Sequence, residues 1–304
     1  MTKLPRILLD CDPGIDDAFA IFCATRLTDL AAVTTVSGNV PIEHTTRNAL
    51  HVLDLAGADV PVHRGASEPL AIPAMFADAV HGIAGLGAHE TPTPQRGEDP
   101  IGATRAILDF CASGNAHIVA TGPLTNIALA VRQDPTVAQR IAHLHWMGGS
   151  TAAGNTTPLA EFNSWVDPHA VDVVLHSGIP LTMYGLNLTH QVRLTQHHIE
   201  VLENAATKSS VRAAGFLSFY RQNGSDDGLG QPMHDPCALL GLTHPELFTT
   251  AASTIVVHIE GNQRGMTEVV DSRGSPAHRI AQSAEAPDVI NLIIESAINP
   301  ARSQ

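Results

Sequence analysis

Four carboxylates fall within eight residues at Asp10-Cys11-Asp12-Pro13-Gly14-Ile15-Asp16-Asp17. A helix start absorbs one or two of them, because aspartate there accepts orphan N–H groups and meets the positive end of the helix dipole. Two unit charges about 4 Å apart repel by roughly 4 kcal/mol at an effective dielectric of about 20. Four convergent carboxylates therefore call for bound protons or a cation. A hard divalent ion with oxygen ligands, Ca²⁺ or Mg²⁺, is the natural counter-charge. Capping and cation binding both stay open on spacing alone.

Four later segments add candidate chemistry. Thr121-Gly122-Pro123-Leu124-Thr125-Asn126 reads as a turn from a strand into a helix, with carbonyls able to serve a metal. Met147-Gly148-Gly149 opens a polar stretch that carries Asn155, Glu161 and Asn163. Glu161 and Asn163 lie two apart, so in extended chain they face one way. A carboxylate with an amide suits the hydroxyls of a sugar, although a solvated loop has the same composition. His234-Asp235-Pro236 opens the apolar run 237–242, with Asp235 a plausible N-cap and His234 a candidate proton donor near neutral pH. His81, in the glycine-rich segment 80–87, carries little by itself.

The elements that must position these residues alternate. Apolar runs at 6–10, 31–36, 117–120, 144–147 and 181–184 predict strands. Segments 16–26, 43–56, 103–112, 126–132 and 170–176 predict helices. Continuous apolar strands alternating with helices predict an α/β fold with a single open, mostly parallel, doubly wound (Rossmann-like) sheet flanked by helices. Ligands in such sheets sit beyond the carboxyl ends of the strands, here just after Leu9, Val36, Ala120 and Met147. One domain over 1–304 is expected, with lid-like loops near 65–100 and 223–233.

Composition narrows the function classes. Asp and Glu total 30 against 17 Lys and Arg, a formal net charge of −13, and the only lysines are Lys3 and Lys208. Such a surface repels phosphate backbones and anionic membranes, so neither nucleic acid nor membrane is an expected partner. No apolar run reaches the roughly 18 residues of a membrane span. The start has no secretory pattern, and Cys11, Cys23, Cys111 and Cys237 are widely spaced, which together predict free thiols in the cytoplasm.

The ordered set DPGIDD, SGN, HGIAGLG, TGPLTN, MGGS, AEFN, HDP, running from residue 10 to residue 236, resembles the inosine–uridine-preferring nucleoside hydrolase family. The resemblance implies hydrolysis of the N-glycosidic bond of ribonucleosides to ribose and free base, in nucleoside salvage, with one bound Ca²⁺. By motif match, Asp12, Asp17, the Thr125 carbonyl and Asp235 would ligate Ca²⁺, and Asp12 would be the general base. Asp16, Asn155, Glu161 and Asn163 would hold the ribose, with Met147 lining the pocket and Asn39 near the scissile bond. His81 and His234 would face the base, with His234 the acid for the leaving group. A homodimer or homotetramer is implied in the same way.

The segment upstream of His234 departs from the family pattern, in which tyrosines cover the base. Here Tyr220 is its only tyrosine, Gln222 can offer an amide to a pyrimidine edge, and Asp226 or Asp227 can supply another polar contact. Trp146 and Trp165 fall in no base-side segment, which weakens a purine-specific assignment and favours a pyrimidine or mixed preference. Two alternatives compete. A phosphohydrolase with Asp10 or Asp12 as nucleophile needs a cationic phosphate clamp, and lysine is scarce. A non-catalytic nucleoside-binding protein has no need for both Asp12 and His234.

Overall fold

The computed structural model describes residues 4–87, 91–223, 228–270 and 278–301. The strands, in chain order, are β1 (Arg6–Cys11), β2 (Asp29–Thr35), β3 (Val62–Arg64), β4 (Ala116–Ala120), β5 (Ile141–Met147), β6 (Leu181–Tyr184), β7 (Arg193–Leu194), β8 (Gln231–Pro232), β9 (Phe248–Val257), β10 (Thr267–Val270) and β11 (His278–Ala284). Nine form one open sheet in the order β10-β9-β11-β6-β5-β4-β1-β2-β3. Every neighbouring pair is parallel except those of β9, which runs antiparallel to both β10 and β11. β7 and β8 make a separate antiparallel pair. The expected mostly parallel α/β sheet is therefore present, with an antiparallel end that the sequence patterns do not announce.

Strand alternation builds two cores. On β1, Ile7, Leu9 and Cys11 pack to one side, beneath the helices Ile15–Leu27, Ile42–Ala56, Asp235–Thr243 and Ala286–Ile298. Leu8 packs to the other, beneath Ala103–Cys111, Thr125–Gln133 and Pro168–Leu175. A strand buried on both faces has no polar face to alternate with, hence the unbroken apolar run. All four cysteines are buried and free. No helix among the described residues is long and apolar enough to cross a membrane.

The topology fixes where a ligand can sit. From β1 the chain winds outward through β2 to β3, then returns to lay β4 on the other side of β1. Beyond the carboxyl ends of β1 and β4 the crossovers diverge to opposite faces and leave a crevice. The turn after β1 holds Asp12 to Gly14, and the turn after β4 holds Thr121 to Leu124.

Candidate active site

Gly14 is the cap residue of the helix Ile15–Leu27, and its N–H donates to Asp17 Oδ2 at 2.9 Å. One of the four clustered aspartates thus caps the helix. The same carboxylate accepts Asn39 Nδ2 at 3.2 Å and, through Oδ1, the Thr121 hydroxyl at 2.8 Å. Asp12 Oδ2 accepts the Asn39 N–H at 2.7 Å, while Asp12 Oδ1 is buried with no partner. Asp16, Asp17 and Asp235 each present a carboxylate oxygen, and these lie within 4.8 Å of one another. Asp10 turns to the other face of the sheet, where its Oδ1 accepts Thr34 Oγ1 at 2.6 Å and Asn126 Nδ2 at 2.8 Å.

Burial and mutual repulsion govern the charge of this group. Burial first, and Asp17 second, push Asp16 up to about 7. The same two causes, in the same order, raise Asp12, and burial followed by Asp16 and Asp17 raises Asp235. Asp17 is raised by burial, offset by the hydrogen bonds from Gly14 and Thr121. Such a group must hold protons or a cation; the converging carboxylates of Asp16, Asp17 and Asp235 fit a hard cation that prefers oxygen, with the unpartnered Asp12 Oδ1 outside that group of three.

Glycine makes the close approach possible. A Cβ at Gly38 would collide with Asp12 Oδ2, and one at Gly122 would come within 2.7 Å of Asp12 Oδ1.

Above the carboxylates opens a cavity of about 320 Å³. Its lining includes Asp16, Asn39, His81, Met147, Asn155, Glu161, Asn163, His234 and Asp235, nine of the residues expected from sequence. Asp12 and Asp17 lie behind Asn39 and Thr121, to which they are hydrogen-bonded. Two grooves along the helix Lys208–Asn223 gather no comparable carboxylate cluster among the described residues.

One wall is set by Glu161. It caps the short helix Phe162–Val166 by accepting Asn163 N at 2.9 Å and Ser164 N at 3.0 Å, and it also takes Gly149 N at 2.8 Å. Burial still pushes its carboxyl up to about 7. Asn163 Nδ2 donates to the carbonyls of Thr121 at 2.8 Å and Met147 at 3.2 Å, which ties this wall to the ends of β4 and β5. Asn155 Oδ1 accepts Phe162 N at 2.9 Å.

The opposite wall is aromatic and imidazole. His81 accepts the Ile15 N–H through Nδ1 at 3.1 Å and stacks on Tyr220 with ring centroids 5.7 Å apart. Burial pushes His81 down to about 4. His234 Nδ1 lies 2.7 Å from Thr189 Oγ1, and burial, followed by His190, His81 and Arg193, pushes it down to about 3.

Four expectations change. Thr125 is the first residue of the helix Thr125–Gln133, so its carbonyl enters the helical ladder, and its hydroxyl donates to Asp167 Oδ2 at 2.7 Å. The cluster is met instead by Thr121. Gln222 lines one of the outer grooves with His51 and Arg212 and is absent from the cavity. Asp235 is not an N-cap but the first residue inside the helix Asp235–Thr243, with His234 before it, which frees its carboxylate for the cluster. His234 is neutral near pH 7, so it can offer an N–H hydrogen bond but not a standing imidazolium. Asp226 and Asp227 lie outside the described residues. The cavity also gathers Thr121, Tyr220, Asn223 and Gln231, which the motifs did not place there.

Comparison with known proteins decides the relationship. The family model described as inosine-uridine preferring nucleoside hydrolase matches residues 7–291. This chain belongs to that family. Relatives within the inosine-uridine preferring nucleoside hydrolases include a non-specific ribonucleoside hydrolase, RihC, of Klebsiella pneumoniae, 41% identical over 96% of this chain and 95% of that protein. A pyrimidine-specific ribonucleoside hydrolase, RihA, of Photobacterium profundum is 39% identical over 86% of this chain and 88% of the relative. Among solved structures, a purine-preferring ribonucleoside hydrolase from Gardnerella vaginalis superposes with a TM-score of 0.92 at 31% identity, covering 97% of this chain and 98% of that one. The names of these two relatives and of the solved structure span pyrimidine-specific, non-specific and purine-preferring ribonucleoside hydrolases.

Proposed function

We propose that this chain hydrolyses the N-glycosidic bond of ribonucleosides, giving ribose and free base, with a pyrimidine or mixed base preference and a role in nucleoside salvage. The observation that carries this is a floor of buried, partly unpartnered carboxylates beneath a cavity walled by Glu161, Asn155 and Asn163 on one side and by imidazole and tyrosine on the other. The cavity lining includes no Lys or Arg among the described residues, which favours a nucleoside over a nucleotide. Asp12, Asp17 and Asp235 would hold Ca²⁺, with the Thr121 main chain in the place first given to Thr125. When bound, Ca²⁺ supplies positive charge that offsets the carboxylates and eases deprotonation of a nearby water.

The chain's own residues divide the remaining work. Asp12 Oδ1, which has no partner, takes the proton of the attacking water. Asp16, Glu161, Asn155 and Asn163 hold the ribose hydroxyls, and Met147 packs beneath the ring. The negative surroundings favour the oxocarbenium-like charge that develops as the base departs. In the tautomer in which Nδ1 accepts the Thr189 hydroxyl, 2.7 Å away, His234 carries its proton on Nε2 and offers it to the leaving base. His81 acts less directly, since its Nδ1 is spent on Ile15.

Both irregular stretches contribute to the cavity, Ala77 to His81 from 65–100 and Gln231 with Pro232 from 223–233, which supports a single domain over 1–304 with two lid loops. Four buried free thiols suit the cytoplasm. Association as a homodimer or homotetramer is carried over from the family resemblance. The deciding experiment incubates the protein with uridine, cytidine, inosine and adenosine and measures ribose as reducing sugar. Release that is lost on chelation and restored by Ca²⁺ supports the proposal. No release from any of the four, with Ca²⁺ present and the chain folded, overturns it.

A further inference from the structure

Gln231 stands out in the cavity because its amide is unemployed. It is only 2% exposed, lines the cavity, and its Nε2 has no hydrogen-bond partner. Buried polar groups are nearly always satisfied, and an amide left without a partner loses its hydration for nothing in return. The backbone keeps it there. Gln231 pairs with Leu194 in the β7–β8 ribbon, and Gly230 before it takes a φ of +97°, where a Cβ would press on the Leu194 carbonyl at 2.7 Å. The backbone of Gln231 is therefore fixed beside the cavity, and the amide donor is left for whatever enters it.

Its neighbours say which end of the ligand it meets. Glu161, Asn155 and Asn163 form the wall suited to ribose. Gln231 comes from the segment that also supplies His234, three residues on, and it shares the cavity lining with His190 and Tyr220. We infer that Gln231 determines base specificity by donating Nε2–H to the keto oxygen that uracil (O4) and hypoxanthine (O6) carry at corresponding positions, and so favours these two over cytosine and adenine. This rests on the proposed nucleoside hydrolysis. At the position of the hypoxanthine keto group, adenine carries an amino group, which sets donor against donor. A buried carbonyl that loses its donor is penalised more than one in water, so discrimination of roughly 10- to 100-fold is the expected scale.

The test compares the Ca²⁺-loaded wild type with Gln231→Met, which keeps length and removes the donor, and with Gln231→Asn, which keeps the amide and withdraws it by one methylene. The substrates are inosine, adenosine, uridine and p-nitrophenyl riboside, whose leaving group has no keto oxygen. Gln231→Met should lower kcat/KM for inosine and uridine by roughly 10- to 100-fold, leaving adenosine and p-nitrophenyl riboside within about threefold. Gln231→Asn should fall between wild type and Gln231→Met on the keto bases alone. Equal losses on all four substrates would make Gln231 structural and overturn the inference. So would an unchanged inosine-to-adenosine ratio, the outcome expected of an amide free to turn over and present Oε1 instead. If wild type cleaves p-nitrophenyl riboside and uridine but the ratios do not move, only the assignment of Gln231 falls. If wild type cleaves nothing, the hydrolase proposal falls and this inference with it.

Discussion

Cation binding should stabilise this protein strongly at neutral pH and barely at pH 5. Asp16 ionises at about 7 in the folded chain against an ordinary value of 3.8, and Asp12, Asp17 and Asp235 are raised as well. Without a cation, a raised carboxylate favours folding while it keeps its proton. That contribution is complete below the ordinary value and is lost as pH climbs toward about 7. A cation replaces those protons, so its benefit grows over the same window. With Ca²⁺ at about 100 times its Kd at pH 7, the gain is about 2.7 kcal/mol. For a chain of this size that is a rise of about 5 °C in Tm. If one proton is displaced, affinity falls about tenfold per pH unit, and by pH 5 the same concentration gives about 0.4 kcal/mol, or roughly 1 °C. Differential scanning fluorimetry of chelated and Ca²⁺-loaded protein at pH 5, 6, 7 and 8 measures this, with Asp17→Asn/Asp235→Asn as control. Equal shifts at pH 5 and 7, or a full shift in the double variant, would place the cation on the acidic surface instead and refute the reasoning.

Three substitutions probe the same machinery. Asp12→Asn removes the carboxylate whose Oδ1 is unpartnered beside the cluster, and kcat should fall by at least about 100-fold with the circular dichroism spectrum unchanged; near-normal turnover would exclude Asp12 as the base. Gly38→Ala drives a methyl into Asp12 Oδ2, so it should lower both Tm and Ca²⁺ affinity, whereas Gly178→Ala, at a glycine with open space around it, should leave Ca²⁺ affinity unchanged. His234→Ala should slow uridine and inosine far more than p-nitrophenyl riboside, whose leaving group departs without a proton, and equal losses on all three would remove the leaving-group role.

The parts of this architecture that sequence makes plain are those under the strongest local constraint. Strands β1, β2, β4, β5 and β6 are nearly unbroken apolar runs ending in Gly, Pro or polar turns, and each stands within two residues of its expected bounds apart from β5, which starts three residues earlier. β9 and β10 are only partly buried, and their alternation is too loose to separate from a surface loop. The misplacement of Gln222 has a geometric origin. The helix Lys208–Asn223 continues through it, and residues two apart on a helix point about 200° from one another. Tyr220 faces the cavity, so Gln222 faces the outer groove, and Asn223, three residues beyond Tyr220, returns to the cavity side. Gln231 carries no motif at all; only the β7–β8 pairing and the closed packing around it reveal that its amide is unpartnered.

Thr121 and Thr125 show how narrow the margin for a site residue is. Both lie in one six-residue turn, both are buried, and both donate a hydroxyl to an aspartate. Thr121 sits where β4 has ended and the helix has not begun: its N–H still donates to the Asp10 carbonyl of β1 at 2.8 Å, while its own carbonyl lies outside the helical ladder and accepts Asn163 Nδ2 at 2.8 Å on the cavity wall. Thr125 is already helical, and its hydroxyl secures Asp167, which also accepts Leu70 N at 2.9 Å and so anchors the start of the 65–100 stretch. A strand-to-helix turn thus supplies two different functions four residues apart, one at the carboxylates and one beneath a loop. The same logic explains why the acidic cluster stands at the β1–β4 junction. There the turns after β2 and β4 close on Asp12, and the glycines Gly38 and Gly122 leave the room for that approach. Such crowding violates the usual rule that buried charge be paired, and proteins keep violations of that kind where function requires them.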